Sequence, residues 1–427
     1  MVSANQRAFV RTSALWAVYE NFTATYLVAF ALLLGASNIM VGVFGAIPFI
    51  AVLLSELIGA KLTEYWARVP IIVVTYAIDK TMWVLLALLP WFTLTNPLVV
   101  LVILYFINQF FITLREPSVV SLTADIVEER KRGAYFGRVN RATGAAALVA
   151  TITAGWFITR MGDTSQLGYS LLFGAGALFG YAAMWSFSTM TEPRRVGNSH
   201  YTVKDVLRFD GSFRHFCFRA SFFWFAAKLA SPFVSAYILR DLGLSVVLFG
   251  LAIALQQLTM IVFYRPWGKF SDRYGDRALA LIGLVGTSIV MFLWFNIRPD
   301  TLWLIIPTQI LSGLVWAATE TALYNLVLDM TDRRHRPLQV AQYSIFNALA
   351  QAIGPIAGGI LADSAGLWMI SGVPLVFLAS SILRFAASLL FIGMHEPRIK
   401  RQYSMRAILY GITRHRIAGV HFHPSQK

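Results

Sequence analysis

Residues 268–277 read GKFSDRYGDR and stand between two long apolar runs, Val246–Tyr264 and Ala278–Ile297. These ten residues hold five charged side chains, although only 13% of the 427-residue chain is charged and 57% is hydrophobic. A short charged turn between such runs is typical of two helices that cross a membrane and are joined at its surface. A soluble globular chain carries about 25% charged residues, so the composition argues against a soluble enzyme. An aromatic content of 14% argues against disorder.

Apolar runs of comparable length recur along the whole chain. A hydrocarbon core of ~30 Å needs about 20 apolar residues in a helix, and we identify twelve such runs. The first is too long for a cleavable signal peptide and carries Glu20 and Asn21. The sequence therefore predicts an all-α membrane protein with twelve transmembrane helices. The predicted spans are Phe9–Leu34, Ile39–Gly59, Val69–Leu89, Leu98–Ser121, Ala134–Thr159, Gly168–Met190, Phe213–Leu239, Val246–Tyr264, Ala278–Ile297, Leu302–Leu328, Leu338–Leu361 and Trp368–Met394.

The basic residues are divided unevenly between the two sides of the predicted membrane. Of the 36 Lys and Arg, 28 fall at the N-terminus, in every second loop or in the tail, 3 fall in the other loops and 5 lie within spans. Basic residues favour the cytoplasmic side, so we expect a multi-pass protein of the cell membrane with both termini in the cytoplasm. The net charge of +15 then reports orientation and needs no nucleic-acid partner. The basic tail is interpreted as solvated, with contact to anionic lipid as the alternative.

The two halves of the chain resemble each other. At an offset of 208 residues, identical residues stand at Arg11, Ser13, Trp16, Gly35, Ser37 and Gly42, and Glu20 meets Lys228. At an offset of 204, Glu116 meets Glu320. Each half holds six spans, so both have the same orientation, and transporters built from such parallel repeats bind substrate where the repeats meet. We predict a bundle at 1–190, a central cytoplasmic loop at 191–212, a second bundle at 213–396 and a basic cytoplasmic tail at 397–427.

The charged turn also resembles a family signature. Residues 268–277 are similar to the pattern Gly-x-Leu/Phe-x-Asp-Arg-x-Gly-Arg/Asp-Arg of the major facilitator superfamily. The equivalent turn of the first half retains Glu64 and Arg68 but lacks both glycines, and residues 124–133, ADIVEERKRG, resemble a second loop of the family. The resemblance covers residues 9–396 and implies two six-helix bundles that alternate between two orientations around a central substrate site. It does not identify a subfamily.

Two subfamily signatures are absent from the sequence. Proton-coupled drug antiporters of this superfamily have an Arg deep in span four followed by Gln-Gly, whereas Arg115 lies near the cytoplasmic end and precedes Glu116-Pro117. The glycine-rich element of their span five occurs here in span eleven, at Gly354–Gly359. The sugar-porter sequence Pro-Glu-Ser-Pro-Arg is replaced by TEPRR at residues 191–195. These departures weaken the case for drug antiport.

Charged side chains within the spans are the candidates for energy coupling, because each costs about 2.5–3.5 kcal/mol at the bilayer centre on insertion scales. Glu20 and Lys228 hold equivalent positions on spans one and seven, so we predict an ion pair that opens when Glu20 is protonated. The alternative is a static pair that holds the halves in register. Glu116 and Glu320 form a second equivalent pair, interpreted either as coupling or ligand residues or as a cytoplasmic gate with nearby arginines.

The family resemblance assigns a conformational latch to the charged turn. In this family the acidic residue of the turn and its basic partners hold the cytoplasmic ends of the bundles together in one state. The alternative is that these charges only determine topology. The predicted latch consists of Gly268, Lys269, Asp272, Arg273, Gly275 and Arg277, with Glu64, Arg68 and Asp125 from the first half.

Polar and aromatic side chains within the spans are candidates for a substrate cavity. Each of them has packing or a helix–helix hydrogen bond as its alternative role. As a set they indicate an amphipathic or weakly charged substrate. Glu56, Asp79, Lys80 and Arg384 are given lower weight, because their spans or positions are interpreted as peripheral. The predicted cavity residues are Asn21, Tyr26, Asn108, Gln109, Trp224, Gln256, Gln309, Trp316 and Asn347.

The sequence predicts no catalytic site. The spans hold no His, Cys and carboxylate cluster that would bind a metal, and there is no Gly-x-x-x-x-Gly-Lys-Ser/Thr phosphate-binding sequence. We expect a monomeric transporter, without cofactor or metal, that moves a small organic solute across the bilayer by alternating access. Coupling to protons is expected, and export is slightly favoured over uptake. A proton-coupled uptake symporter is the alternative within transport, and a non-transporting sensor or assembly factor is the alternative outside it.

Overall fold

The computed structural model describes residues 4–93, 95–126, 132–192, 211–331, 336–364 and 372–394. Every regular element in these ranges is a helix, as the hydropathy pattern predicts. Most of the predicted central loop at 191–212 and the whole predicted tail at 397–427 lie outside the described residues.

The helices follow one another along the chain, and we number them α1 to α12. The first consists of two segments, and α7 ends in a short π-helical turn, Tyr237–Asp241. The helices are α1 (Ala4–Phe22 and Ala24–Leu33), α2 (Asn38–Tyr65), α3 (Arg68–Leu88), α4 (Pro97–Ile126), α5 (Arg132–Met161), α6 (Gln166–Ser188), α7 (Gly211–Ala236), α8 (Val246–Tyr274), α9 (Asp276–Asn296), α10 (Ile305–Met330), α11 (Arg336–Asp363) and α12 (Val373–Ile392).

The helix α1 differs from the continuous first span that the sequence predicts. Eleven helices in the described ranges are long and apolar enough to cross a membrane, and α1 is the element that is not among them. It is interrupted at Thr23, whose hydroxyl donates a hydrogen bond of 2.7 Å back to the Tyr19 carbonyl. The break follows directly on Glu20 and Asn21, the polar pair that lowers the hydropathy of this run. The all-α fold with twelve helical spans otherwise agrees with the prediction.

The charged turn at residues 268–277 is mostly helix, which corrects the predicted boundary. Helix α8 continues to Tyr274, ten residues past the predicted end of its span at Tyr264. The chain turns at Gly275, whose φ of +96° is disfavoured for residues with a Cβ atom. Helix α9 then begins at Asp276. The predicted latch residues Asp272 and Arg273 therefore lie on the last helical turn rather than in a loop.

The two halves pack in the same way. In the first half α1 packs on α5 and α6, α4 packs on α2 and α3, and α3 packs on α6. The second half repeats every one of these pairs six helices later, with α7 on α11 and α12, α10 on α8 and α9, and α9 on α12. The halves meet through two equivalent crossings, α2 on α11 and α5 on α8. The parallel repeat read from the sequence is therefore a pair of similarly packed helical bundles.

Glycines bring the two bundles into close contact at one end of the molecule. A Cβ atom at residue 42 of α2 would lie 2.4 Å from the Pro355 carbonyl oxygen of α11, and one at Gly155 of α5 would lie 3.1 Å from Cα of Val247 in α8. We call this end, with the segments 34–37, 162–165 and 242–245, the closed end. The opposite end, where α1 begins and α2 ends, is called the terminal end.

Candidate functional site

A cavity of about 840 Å³ lies between the two bundles, toward the terminal end. It is bounded by α2 of the first bundle and by α7, α8, α10 and α11 of the second. Its wall is mainly apolar, with Glu320 as its acidic residue. The lining residues are Phe49, Val52, Trp224, Tyr264, Glu320, Thr321, Leu323, Tyr324, Asn325, Val327, Leu328, Val340, Tyr343, Ser344, Asn347, Ala348 and Gln351.

Lys228 and Glu320 supply opposite charges at this cavity. The Tyr264 hydroxyl donates a hydrogen bond of 2.6 Å to Oε2 of Glu320. The Lys228 ammonium lies 5.0 Å from the centre of the Phe49 ring and 5.8 Å from that of Trp224, both of which line the cavity. Glu320 is the carboxylate that acts electrostatically on Lys228. The site thus combines an aromatic-lined ammonium with a hydrogen-bonded carboxylate, which suits an amphipathic solute.

The predicted ion pair between Glu20 and Lys228 is not seen among the contacts of the described residues, and each of the two residues interacts with other charges. Glu20 acts electrostatically with Asp79, Lys80 and Arg115 of its own bundle. The reason is geometric, because equivalent positions in a repeat are related by rotation and need not touch. Helices α1 and α7 pack mainly within their own bundles, while the bundles meet mainly through α2 on α11 and α5 on α8.

A buried charge cluster lies beside Glu20, and the sequence analysis underrated it. Asp79 and Lys80 are fully buried, with 2.8 Å between Lys80 Nζ and Asp79 Oδ1, and Arg115 also pairs with Asp79. The Lys80 ammonium lies 3.3 Å from the centre of the Tyr19 ring, and the Arg115 guanidinium lies 4.1 Å from that of Tyr76. Two adjacent opposite charges within an apolar run were the signal, since isolated charges in such runs need a partner.

Two other predicted residues complete this cluster rather than line the large cavity. Asn108, which is fully buried, donates hydrogen bonds to the Tyr19 hydroxyl (3.1 Å) and to the Asp79 carbonyl (3.0 Å). Gln109 donates to the Asn108 side chain at 3.1 Å. These amides tie α4 to α1 and α3. They therefore act as interhelical hydrogen-bonding residues, the alternative role considered from the sequence.

Glutamates of the first bundle stand on the other side of the bundle interface. The Ser344 hydroxyl of α11 donates a hydrogen bond of 3.1 Å to Glu56 of α2, which joins the bundles. Glu116 is exposed and acts electrostatically with its neighbour Arg115 and with Glu56. The predicted pair Glu116 and Glu320 thus lies on both bundles, but only Glu320 is among the residues that line the cavity.

The remaining predicted cavity residues fall into three places. Trp224 and Asn347 line the large cavity. Asn21 and Tyr26 instead connect α1 to α5: Asn21 accepts a hydrogen bond of 2.7 Å from Thr151, and the Tyr26 hydroxyl donates one of 2.6 Å to the Thr151 carbonyl. A second, smaller cavity of about 210 Å³ within the second bundle contains Gln256, Gln309 and Trp316, together with Arg384.

At the terminal end of the first bundle, two of the predicted latch residues, Arg68 and Asp125, form a cluster. The Arg68 guanidinium donates hydrogen bonds to Asp125 (2.6 Å), to Ser121 (2.9 Å) and to Glu192 (2.8 Å). Burial alone would raise the pKa of Glu192, but the hydrogen bonds from Arg68 and from the Val69 backbone N–H lower the pKa below its usual value. Arg68, at the start of α3, thereby links that helix to the end of α4 and to Glu192, which follows the end of α6.

The equivalent position of the second bundle carries the opposite charge. At the offset of 208 residues Arg68 corresponds to Asp276, which is fully buried and accepts hydrogen bonds from Ser271 and from Asn325 (2.9 Å). Arg277 donates to the Ile392 carbonyl at the end of α12. These contacts lie within one bundle, so the predicted latch between bundles is not seen among them.

The other latch residues occupy the same region. Gly268 and the exposed Lys269 lie on α8, and no atom lies within 4 Å of a Cβ placed at Gly268. Asp272 and Arg273 are exposed on the last turn of α8, with the Arg273 guanidinium 5.2 Å from the Tyr274 ring centre. Glu64 lies on α2, and its side chain is outside the described part of the structure.

At the closed end, two carboxylates reach from one bundle to the other. Asp363 of α11 accepts hydrogen bonds from the Asn38 side chain (2.8 Å) and from the Ile39 backbone N–H (3.2 Å), at the start of α2. Asp163, which follows α5, accepts one of 3.3 Å from the Val246 backbone N–H at the start of α8. Neither aspartate was singled out from the sequence, because each lies just outside an apolar run.

Comparisons with known proteins point to one family. Residues 216–422 match the model of the Major Facilitator Superfamily. The chain is 32% identical over 117 residues to the class B tetracycline resistance protein of Escherichia coli, covering 27% of this chain and 28% of that protein. It is also 32% identical over 147 residues to the inner membrane transport protein YajR of Escherichia coli K12, covering 33% and 31%. The alignments thus span about a third of the length of these curated relatives.

Solved structures of the same fold cover nearly the whole chain. A nucleoside transporter NupG mutant superposes with a TM-score of 0.76 at 12% identity, covering 92% of this chain and all of that one. The inward-open xylose transporter XylE of E. coli gives a TM-score of 0.71 at 14% identity, covering 95% and 100%. These relatives are named as transporters or resistance proteins, in agreement with the prediction that the chain is not an enzyme. Residues 216–422 thus resemble the Major Facilitator Superfamily, and the fold of the whole described chain resembles that of these solved transporters.

Proposed function

We propose that the protein is a secondary active transporter that moves a small amphipathic organic solute across the cell membrane by alternating access. The observation that carries this proposal is the cavity of about 840 Å³ between two similarly packed bundles that touch closely at the other end. Such a cavity becomes accessible from the other side when the bundles rock about their interface. The fold supports this assignment, and we propose that the monomer is the transporting unit.

The charge distribution supports an orientation for this movement. With 28 of the 36 basic residues on the side of the termini, the terminal end faces the cytoplasm. The cavity then opens inward, and the closed end faces outward. In this state a solute from the cytoplasm or the inner leaflet reaches Trp224, Tyr264 and Glu320 directly. An export cycle loads its substrate in such a state.

Coupling to protons is proposed to act at Glu320. A carboxylate that faces an ammonium and a phenol inside a bilayer cavity changes its interactions when it takes up a proton, because the neutral acid no longer attracts Lys228. Proton uptake would therefore loosen the contact between α10 and α7 and favour a change of bundle orientation. The names of the curated relatives, which include tetracycline and multidrug resistance proteins, support export over uptake.

Liposomes that contain the purified protein test this function. An imposed pH gradient is combined with a panel of radiolabelled amphipathic cations, neutral compounds and anions, and gradient-driven flux is measured. We expect flux of at least one class, its loss in Glu320→Gln, and retention of substrate exchange without a gradient in that variant. Asp300→Asn, which removes an exposed carboxylate at the closed end, is the matched control. Absence of flux for every class with correctly inserted protein would contradict transport, and unchanged driven flux in Glu320→Gln would contradict the coupling role.

A further inference from the structure

Arg384 of α12 is a buried cation without a carboxylate partner among the residues that the structure describes. Its side chain is fully buried. Nε donates to the Ser380 hydroxyl (3.0 Å), and the two terminal nitrogens donate to the carbonyls of Thr287 (3.3 Å) and Ala227 (2.8 Å). A guanidinium has five N–H donors, so these three hydrogen bonds leave two. Neutral acceptors orient the group but leave its charge uncompensated.

The equivalent position of the first bundle holds a residue without a side chain. At the offset of 204 residues Arg384 corresponds to Gly180 of α6. The missing side chain there leaves room for Lys80, since a Cβ at Gly180 would lie 2.6 Å from Lys80 Cδ. Lys80 is neutralised by Asp79 at 2.8 Å. Both bundles thus carry a cation between their third and sixth helices, but only the first bundle shows an acid beside it.

The charge of Arg384 borders a polar cavity. The polar part of the wall of this cavity of about 210 Å³ consists of Arg384, Ser231, Ser235, Gln256, Gln309 and Ser312, and the rest of the wall is apolar and includes Trp316. One water occupies about 30 Å³ in the liquid, so the space fits a small polar head group. The Trp316 ring centre lies 5.7 Å from the guanidinium carbon. The amides and hydroxyls are further hydrogen-bonding groups for a bound anion.

An apolar groove adjoins this cavity. The groove, of about 500 Å³, shares the lining residues Ile238 and Gln309 with the polar cavity. Its other walls include Leu248 and Leu251 of α8 and Ile306 of α10, whose side chains are between 44% and 59% exposed on the outer face of the bundle. A charged chamber and an apolar groove that meet at Gln309 match a molecule with one anionic end and one hydrocarbon end.

We propose that Arg384 and these two spaces form a binding site for an amphipathic organic monoanion. The carboxylate of the ligand lies against Arg384 in the polar cavity, and its hydrocarbon chain lies along the groove between α8 and α10. The guanidinium suits this role because it binds carboxylates through paired N–H groups and never loses its charge at physiological pH. This inference goes beyond the proposed function, because it assigns a second binding site that shares no lining residue with the cavity between the bundles.

Direct binding to the full-length protein in nanodiscs tests the site. Tritiated decanoate is the probe, empty nanodiscs give the background, and unlabelled decanoate, decanol and decylamine are the competitors. We expect saturable binding that decanoate displaces and that decanol and decylamine displace at least tenfold less well. Arg384→Gln should weaken binding at least tenfold, and Arg384→Lys should restore part of it. Arg298→Gln, which removes an exposed positive charge, should bind as the unmodified chain does.

Several outcomes would overturn the proposal. Equal displacement by decanol would show that the anionic end is not recognised, and this result needs no variant that has to fold. Unchanged decanoate affinity in Arg384→Gln would exclude Arg384 as the anion-binding residue. Absence of saturable decanoate binding, together with gradient-driven flux of another solute class, would remove this inference and leave the transport function intact. Decanoate binding without gradient-driven flux of any compound would instead contradict the proposed function and keep the site.

Discussion

Asp163 and Asp363 make the same kind of contact from opposite bundles. Asp163 accepts a hydrogen bond from the Val246 N–H at the start of α8, and Asp363 accepts one from the Ile39 N–H at the start of α2. The first backbone N–H groups of a helix have no partner within it, and the helix dipole places positive charge there. Each carboxylate therefore caps a helix of the other bundle, and both caps exist only while the closed end is closed.

Removing both caps should open the closed end. A cap of this kind contributes about 0.5–2 kcal/mol, so Asp163→Ala combined with Asp363→Ala should shift the balance of bundle orientations by roughly one to two powers of ten. Spin labels at Gln166 and Asp300, after replacement of Cys217, report the separation of the bundles at this end. We expect a longer distance population to grow in the double variant. Asn296→Ala, which removes an exposed amide at the same end that donates to the Phe292 carbonyl of its own helix, should leave the distances unchanged.

A larger side chain at residue 42 should prevent the closed end from closing. In Gly42→Ala the Cβ would stand 2.4 Å from the Pro355 carbonyl oxygen, a backbone atom that can yield only if a helix moves. Overpacking of this type costs about 1–3 kcal/mol. The cost applies only to the state in which the closed end is closed. The same spin-label pair should therefore report a larger distance between the bundles at this end. Gly268→Ala, where the added atom meets nothing within 4 Å, is the control. Equal spin-label distances in Gly42→Ala and Gly268→Ala would contradict the proposal that close packing at Gly42 permits the closed end to close.

The contact between Arg68 and Glu192 should make stability depend on pH in the acid range. The pKa of Glu192 is lowered in the fold, so its contribution is fully present above the unfolded value of about 4.3 and is lost as the pH falls through the lowered value. Because Glu192 is partly exposed, the contribution should stay below about 1 kcal/mol. The midpoint temperature of thermal unfolding should therefore fall less steeply between pH 7 and pH 3 in Glu192→Gln than in the unmodified chain. Asp300→Asn should retain the steeper dependence.

Removal of Asp79 should destabilise the first bundle strongly. Breaking a buried ion pair by deleting one partner costs about 3–5 kcal/mol, because the remaining charge stays buried without compensation. Asp79→Asn leaves both Lys80 and Arg115 buried without the carboxylate that pairs with them. We expect a lower midpoint of thermal unfolding in detergent, with partial recovery in Asp79→Asn combined with Lys80→Met. A decrease in the unfolding midpoint no larger than that caused by Asp241→Asn would argue against a structural role for the cluster.

The sequence predicts the helices and the repeat well, since long apolar runs and the offset matches depend on local pattern alone. It also names both Arg68 and Asp125 as latch residues, and these two form an ion pair within the first bundle. Pairing across bundles is a different problem, because periodicity shows which face of a helix is polar but not which helix stands opposite. Glu20 illustrates this, since it faces Lys80 and not Lys228. The buried cation Arg384 was underrated for the same reason.

The difference between Arg68 and Asp276 at equivalent positions has a consequence for how the two halves are joined. The halves share a shape, yet each has its own internal set of polar contacts at the terminal end. Two copies of the first half would place two arginines where this chain has one arginine and one aspartate. A symmetric dimer of half-length chains could reproduce the architecture but not this chemistry. In a single polypeptide, by contrast, each half can carry its own polar contacts without a matching change in the other.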